Sequence, residues 1–122
     1  MEHAQLKIGV DLDHTVYGFP GFFVPFIAAM VEAGHKFYCT SNHLLRQWPE
    51  DEKRLRALGI DPKNIDPSLM QTGPVDEGAA NKARMAEHCD FVFDDAADRF
   101  QSLTKTPVFK CPFHKAAEVR TI

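Results

Sequence analysis

Two aspartates one residue apart, Asp11 and Asp13, close the apolar run Lys-Ile-Gly-Val at residues 7–10. Side chains at i and i+2 of a strand point to the same side. The two carboxylates therefore repel, and burying them unpaired is costly. Stability alone does not choose that arrangement at a strand end. A divalent cation makes it favourable, and so does a proton held on one of the pair. Three further groups recur in similar places. Thr40, Ser41 and Asn42 follow a second short strand-like segment. Asp94 and Asp95 follow Phe91-Val92-Phe93, and Lys82 stands early in the segment that leads into it. The acids could hold a cation, and the hydroxyls with the lysine could hold a phosphate.

These groups need elements to bring them together. Leu6–Val10 reads as a buried strand. Gly18, Pro20 and Gly21 mark residues 14–21 as a loop or tight hairpin. Phe22, Phe23, Phe26, Ile27, Met30 and Val31 then recur at helical spacing, with Pro25 in the first turn and Gly34 as the stop. His35–Thr40 is a second strand. A helix over Pro49–Leu58 follows, with Glu50, Asp51 and Glu52 near its positive end, basic residues later, and Gly59 closing it. Asn64–Met70 is a weak edge strand interrupted by Pro67. Asp76 caps a helix from Glu77 to about His88. Phe91–Phe93 is a strand, Ala96–Leu103 a short helix and Pro107–Lys110 a last strand.

Strand and helix alternate, and the strands are short and apolar on both faces. The expected fold is a three-layer, Rossmann-like α/β domain over residues 1–122, an open parallel sheet with helices on both sides. Ligands of such sheets bind beyond the carboxyl ends of the strands, where strand order reverses. Asp11, Asp13, Thr40, Ser41, Asp94 and Asp95 all follow strand ends. Each has an ordinary explanation by itself, as a cap, a turn or a surface charge. Those explanations do not account for their meeting at one edge.

Composition bounds the rest. The chain of 122 residues is 44% hydrophobic and 25% charged, so it can build one core. Net charge is −3, which indicates neither nucleic acid nor membrane globally. After Asp98 there are five basic residues (Arg99, Lys105, Lys110, Lys115, Arg120) and one acid, Glu118, which read as a solvated face. Cys39, Cys89 and Cys111 form no CxxC pair, so neither a disulfide framework nor a zinc site is indicated. The polar start Met1–Gln5 lacks the layout of a signal peptide, and no apolar run reaches the length of a membrane span. A reducing, cytoplasmic location is expected.

The sequence resembles the haloacid dehalogenase superfamily of phosphotransferases over about residues 6–100. Its phosphatases begin with a strand ending Asp-x-Asp-x-Thr or Val, here Asp11-Leu12-Asp13-His14-Thr15. A second strand ends in Thr or Ser, here Thr40 before Ser41 and Asn42. A lysine follows, for which Lys82 fits, and then a strand ending in paired acids, here Asp94-Asp95. His14 departs from the pattern, at a position most often glycine.

The resemblance implies a magnesium-dependent phosphatase. Asp11 attacks phosphorus and forms an aspartyl-phosphate, splitting one hard step into two. Asp13 is the general acid and base, and needs a raised pKa to do so. Magnesium is held by Asp11, the backbone carbonyl of Asp13 and one of Asp94 and Asp95, with Asp95 the expected direct ligand. Thr40, with Ser41 or Asn42, and Lys82 hold the phosphoryl oxygens. The intervals 13–40 and 70–82 leave no room for the family's inserted cap domain. A capless site admits a large phosphorylated substrate, such as a nucleotide, a nucleic-acid end or a phosphoprotein, or is walled by a partner in a homo-oligomer. The loop His14–Phe23 and the segment His43–Trp48, with His43, Arg46 and Trp48, are the candidates to contact the leaving group, with packing and surface charge the ordinary alternative for Arg46 and Trp48. Two other functions fit a sheet of this size: a receiver-like phosphoacceptor module, and a catalytically silent domain of the same fold.

Overall fold

The computed structural model describes residues 4–76 and 78–112. Five strands form one parallel sheet: Lys7–Val10 (β1), Lys36–Cys39 (β2), Ile65–Asp66 (β3), Phe91–Asp94 (β4) and Val108–Lys110 (β5). Their order is β3-β2-β1-β4-β5. The helices are Pro20–Glu32 (α1), Trp48–Leu58 (α2), Ala79–Ala86 (α3) and Ala97–Phe100 (α4). Side-chain alternation along the strands separates two cores. Ile8, Val10, Phe37 and Cys39 pack with Phe23 and Ile27 of α1 and Leu55 of α2. Val92 faces the other way, with Ala86 of α3 and Phe100 of α4. The protein is thus a three-layer α/β fold, and burial on both faces is why its strands read as apolar runs.

The chain lays down β1, β2 and β3 outward, then returns through α3 to β4 on the other side of β1. Strand order therefore reverses between β1 and β4, and a crevice opens beyond their carboxyl ends. Backbone bonds continue past the strands there. Asp11 N donates to Phe93 O at 3.1 Å, and Thr40 N to Val10 O at 2.9 Å. Among the described residues no cap domain covers this edge, and no helix is long and apolar enough to cross a membrane.

Several local expectations change. Residues 12–16 form a wide turn rather than a hairpin: Val16 N donates to Asp11 O and Tyr17 N to Leu12 O. His14 sits in it at φ 63°, ψ −3°, a region that costs glycine nothing, which is a physical reason for glycine to be usual there. Helix α1 begins at Pro20, where a missing N–H is harmless, so Pro25 lies inside the helix instead of in its first turn. Pro25 and Gly21, whose carbonyl loses its helical donor, are both exposed to water. Strand β3 shrinks to two residues because Pro67 cannot donate. Helix α3 spans Ala79–Ala86, and Asp76 Oδ1 instead accepts from Gly78 N at 2.8 Å in the turn before it. Glu77, and the C-terminal Lys115, Glu118 and Arg120, lie outside the described residues.

Gly9 is the point of closest packing in the central strand. A Cβ there would lie 2.8 Å from Val92 Cγ2 and 2.9 Å from Thr40 Cγ2. The sheet beneath the crevice is therefore set by a missing side chain. Gly9→Ala is expected to lower the unfolding free energy by about 1–3 kcal/mol, the usual cost of overpacking. Urea unfolding measures this, and a stability equal to wild type would mean that the layer has room to give.

Candidate active site

The register Val10↔Phe93 places Asp11, just past β1, beside Asp94 at the end of β4. Asp11 is 5% exposed and Asp94 is fully buried. Lys82, on α3, reaches both: its Nζ donates to Asp11 Oδ1 and to Asp94 Oδ2, each at 2.7 Å. The other oxygen of Asp94 accepts from Ala96 N at 2.8 Å. Thr15 ties the turn to the cluster. Its hydroxyl donates to Asp11 Oδ2 at 3.2 Å and accepts from Asp95 N at 3.1 Å.

One ammonium does not balance these acids. Burial pushes the Asp11 carboxyl up to about 8; the Lys82 charge opposes this and the Asp94 charge adds to it. Burial also raises Asp94, against the pull of Lys82. Burial disfavours the charged form of Lys82 too, but the charges of Asp11 and Asp94 outweigh it and hold the ammonium protonated. Three carboxyl groups thus share one ammonium in a buried place. Asp11, Asp94 and Asp95 each offer an oxygen, and these oxygens lie within 4.8 Å of one another. Hard carboxylate oxygens at that spacing could hold a divalent cation.

The cluster forms the floor of a cavity of about 700 Å³. Asp13, Ser41, Asn42 and His43 line it together with Asp11, Lys82, Asp94 and Asp95. Thr40 does not line it. Its methyl group is turned toward Gly9, and its Oγ1 is buried with no hydrogen-bond partner among the described residues. Ser41 Oγ accepts from His43 N at 3.2 Å, which leaves its proton available. Asn42 Oδ1 accepts from Asn81 Nδ2 at 2.8 Å, and this bond ties the end of β2 to the helix that carries Lys82. Of the three side chains singled out over 43–48, only His43 reaches the cavity. Trp48 is buried in the core, so the expectation that it meets the leaving group does not hold. A receiver-like arrangement is not found among the described residues: the acid ending β3, Asp66, lies at the sheet edge, paired with Lys36 at 3.2 Å.

Asp13 departs from its expected electrostatics. His43 Nε2 lies 2.6 Å from Asp13 Oδ2, and that bond holds the Asp13 carboxyl below the usual carboxylate range despite burial. The ring's Nδ1 lies 2.9 Å from Asp51 Oδ2, and Tyr17 OH donates to Asp51 Oδ1 at 2.8 Å. Hydrogen bonds to Asp13 and Asp51 push His43 up to about 10. Asp51 has no place in the sequence reading beyond complementing the helix dipole. It falls on one stripe with Trp48 and Leu55, the buried face of α2. An acid on that apolar stripe was the signal that a partner existed.

Two outcomes follow from these charges. Lys82→Met leaves Asp11 and Asp94 buried without a cation. It is expected to cost about 3–5 kcal/mol in metal-free urea unfolding, with part recovered in magnesium. The His43 pairs stabilise the fold fully below pH 6.5 and lose that contribution as pH rises toward about 10. Asp13 adds stability above pH 3.8 that is lost as pH falls further. The stability advantage of wild type over His43→Gln, measured with a chelator present, should shrink between pH 6.5 and 10. A constant difference would show that the pairs are not formed.

Compared with known proteins, the chain matches no family model, no curated protein and no solved structure. Its functional reading rests on the fold and on the chemistry of the cluster.

Proposed function

We propose that this chain is a single-domain, magnesium-dependent phosphomonoester hydrolase of the haloacid dehalogenase type, with Asp11 as its nucleophile. The observation that carries this is the triad itself: a buried carboxylate at the switch point, bonded to Lys82 and within ligand distance of Asp94 and Asp95. Ser41 and Asn42, at the wall of the same cavity, supply groups for phosphoryl oxygens, whereas Thr40 lies buried behind them.

Asp11 attacks phosphorus through a carboxylate oxygen, and the bond from phosphorus to the leaving oxygen breaks. Asp13 delivers a proton to that oxygen. Water then attacks the aspartyl-phosphate, the bond from phosphorus to Asp11 breaks, and Asp13 takes the proton from the water. Lys82 keeps its positive charge beside the reacting oxygens throughout. Magnesium would be held by Asp11, the Asp13 carbonyl and Asp95. Asp95 is the freer of the paired acids, because Asp94 has both oxygens engaged. When bound, the ion supplies positive charge to the phosphoryl oxygens and lowers the affinity of Asp11 for a proton.

The absence of a cap among the described residues supports a large substrate, such as a nucleotide, a nucleic-acid end or a phosphoprotein, or a second copy that supplies the missing wall. Phosphate release from an aryl phosphate in magnesium tests the reaction class. Activity should vanish with a chelator and fall at least about a thousandfold in Asp11→Asn. An Asp11→Asn protein that keeps its activity would rule the mechanism out. A panel of phosphorylated metabolites, nucleotides and 3′- and 5′-phosphorylated oligonucleotides then separates the substrate classes.

A further inference from the structure

Asp13 is held from the side of α2 by a chain of contacts that the reaction scheme above does not use. Tyr17 OH donates to Asp51, the two oxygens of Asp51 lie 2.9 and 3.2 Å from His43 Nδ1, and His43 Nε2 lies 2.6 Å from Asp13 Oδ2. The chain runs from buried to open: Asp51 is 5% exposed, the His43 side chain 26% and that of Asp13 50%. The Arg54 guanidinium covers the Tyr17 ring at 3.9 Å, at the end of the chain away from Asp13. Separations of 2.9 and 2.6 Å are hydrogen-bond distances, so both ring nitrogens of His43 are engaged by carboxylates. The ring cannot turn without breaking both contacts. A half-exposed aspartate left alone samples several rotamers; this one is gripped at a single oxygen.

We infer that His43, fixed by Asp51 and Tyr17, is a positioning residue that holds the Asp13 carboxyl in one place at the cavity wall, and so fits the site to esters of aliphatic alcohols. This rests on the phosphatase reading above. As the bond from Asp11 to phosphorus forms and the ester P–O bond breaks, Asp13, held by His43, passes a proton to the departing oxygen. When water attacks and the bond from phosphorus to Asp11 breaks, the proton released by the water returns to Asp13. An alkoxide cannot leave without that proton, whereas 4-nitrophenolate can. The grip therefore matters for alkyl esters and much less for activated aryl esters.

The test compares n-butyl phosphate with 4-nitrophenyl phosphate, in magnesium, for wild type, His43→Ala, Asp51→Asn, Asp13→Asn and the double variant His43→Ala/Asp13→Asn. His43→Ala and Asp51→Asn should lower kcat on the alkyl ester by about 10- to 100-fold, with KM within about threefold. The fall on the aryl ester should be at least about tenfold smaller. The double variant should lose no more than Asp13→Asn alone, because His43 acts through Asp13. If Asp51→Asn does not fold, Tyr17→Phe, which removes one hydroxyl, should show the same ester-selective loss at smaller size. Equal losses on both esters, losses confined to KM, or additive losses in the double variant overturn the inference and leave the phosphatase reading standing. A wild type inert toward both esters overturns both.

Discussion

The ammonium of Lys82, placed between Asp11 and Asp94, is the contact on which the rest of the site depends. It lets two adjacent parallel strands both end in buried acids at the point where the sheet reverses direction. Much of one face of the molecule serves that reach. Helix α3 has small residues, Ala83 and Ala86, on its buried side, and the missing side chain of Gly9 leaves room for Val92 and Thr40 in the layer beneath it. Asn81, next to Lys82, bonds Asn42 and is itself bonded by Arg84, so the helix is pinned at the height from which the lysine meets both carboxylates. Three carboxyl groups still share that one lysine, and a divalent cation would relieve their crowding.

The two aspartates that begin the site live in opposite environments. Asp11 is pushed up by burial beside Asp94, and Asp13 is drawn down by His43. Environments that drive two titratable groups apart are a common way of giving them separate duties. Under the proposed reaction the direction is the reverse of what a simple nucleophile-and-acid pair needs. A cation bound at the cluster would favour the ionised form of Asp11, and His43 would keep Asp13 in one place at the cavity wall.

The sheet was legible because its strands are short apolar runs, and the acids were legible because each stands where such a run stops. Lys82 could be placed by order alone. What the sequence could not show depends on rotation. Strand β2 ends at Cys39, so Thr40 still follows the alternation and points toward Gly9, while Ser41 opens into the cavity. The difference between the two hydroxyls is one residue of strand length. Asp51 and Trp48 are a related case. Both lie on the buried stripe of α2, and only the packed angle of that helix reveals that one fills the core while the other meets an imidazole.

The sheet order also bears on how the molecule assembles. Strand β1 pairs with β2 across a short crossover, but Lys7 meets Asp90 across 83 residues of chain. Closing so long a loop is entropically slower than closing a short one. The first half of the chain can therefore collapse around β1 and β2 while Asp11 still faces water. Asp94 arrives later, and Lys82, only 12 residues before it, arrives on the same α3–β4 arm. The segment that imports the second buried negative charge carries its own counterion with it, so a nascent chain need never enclose the two acids without one.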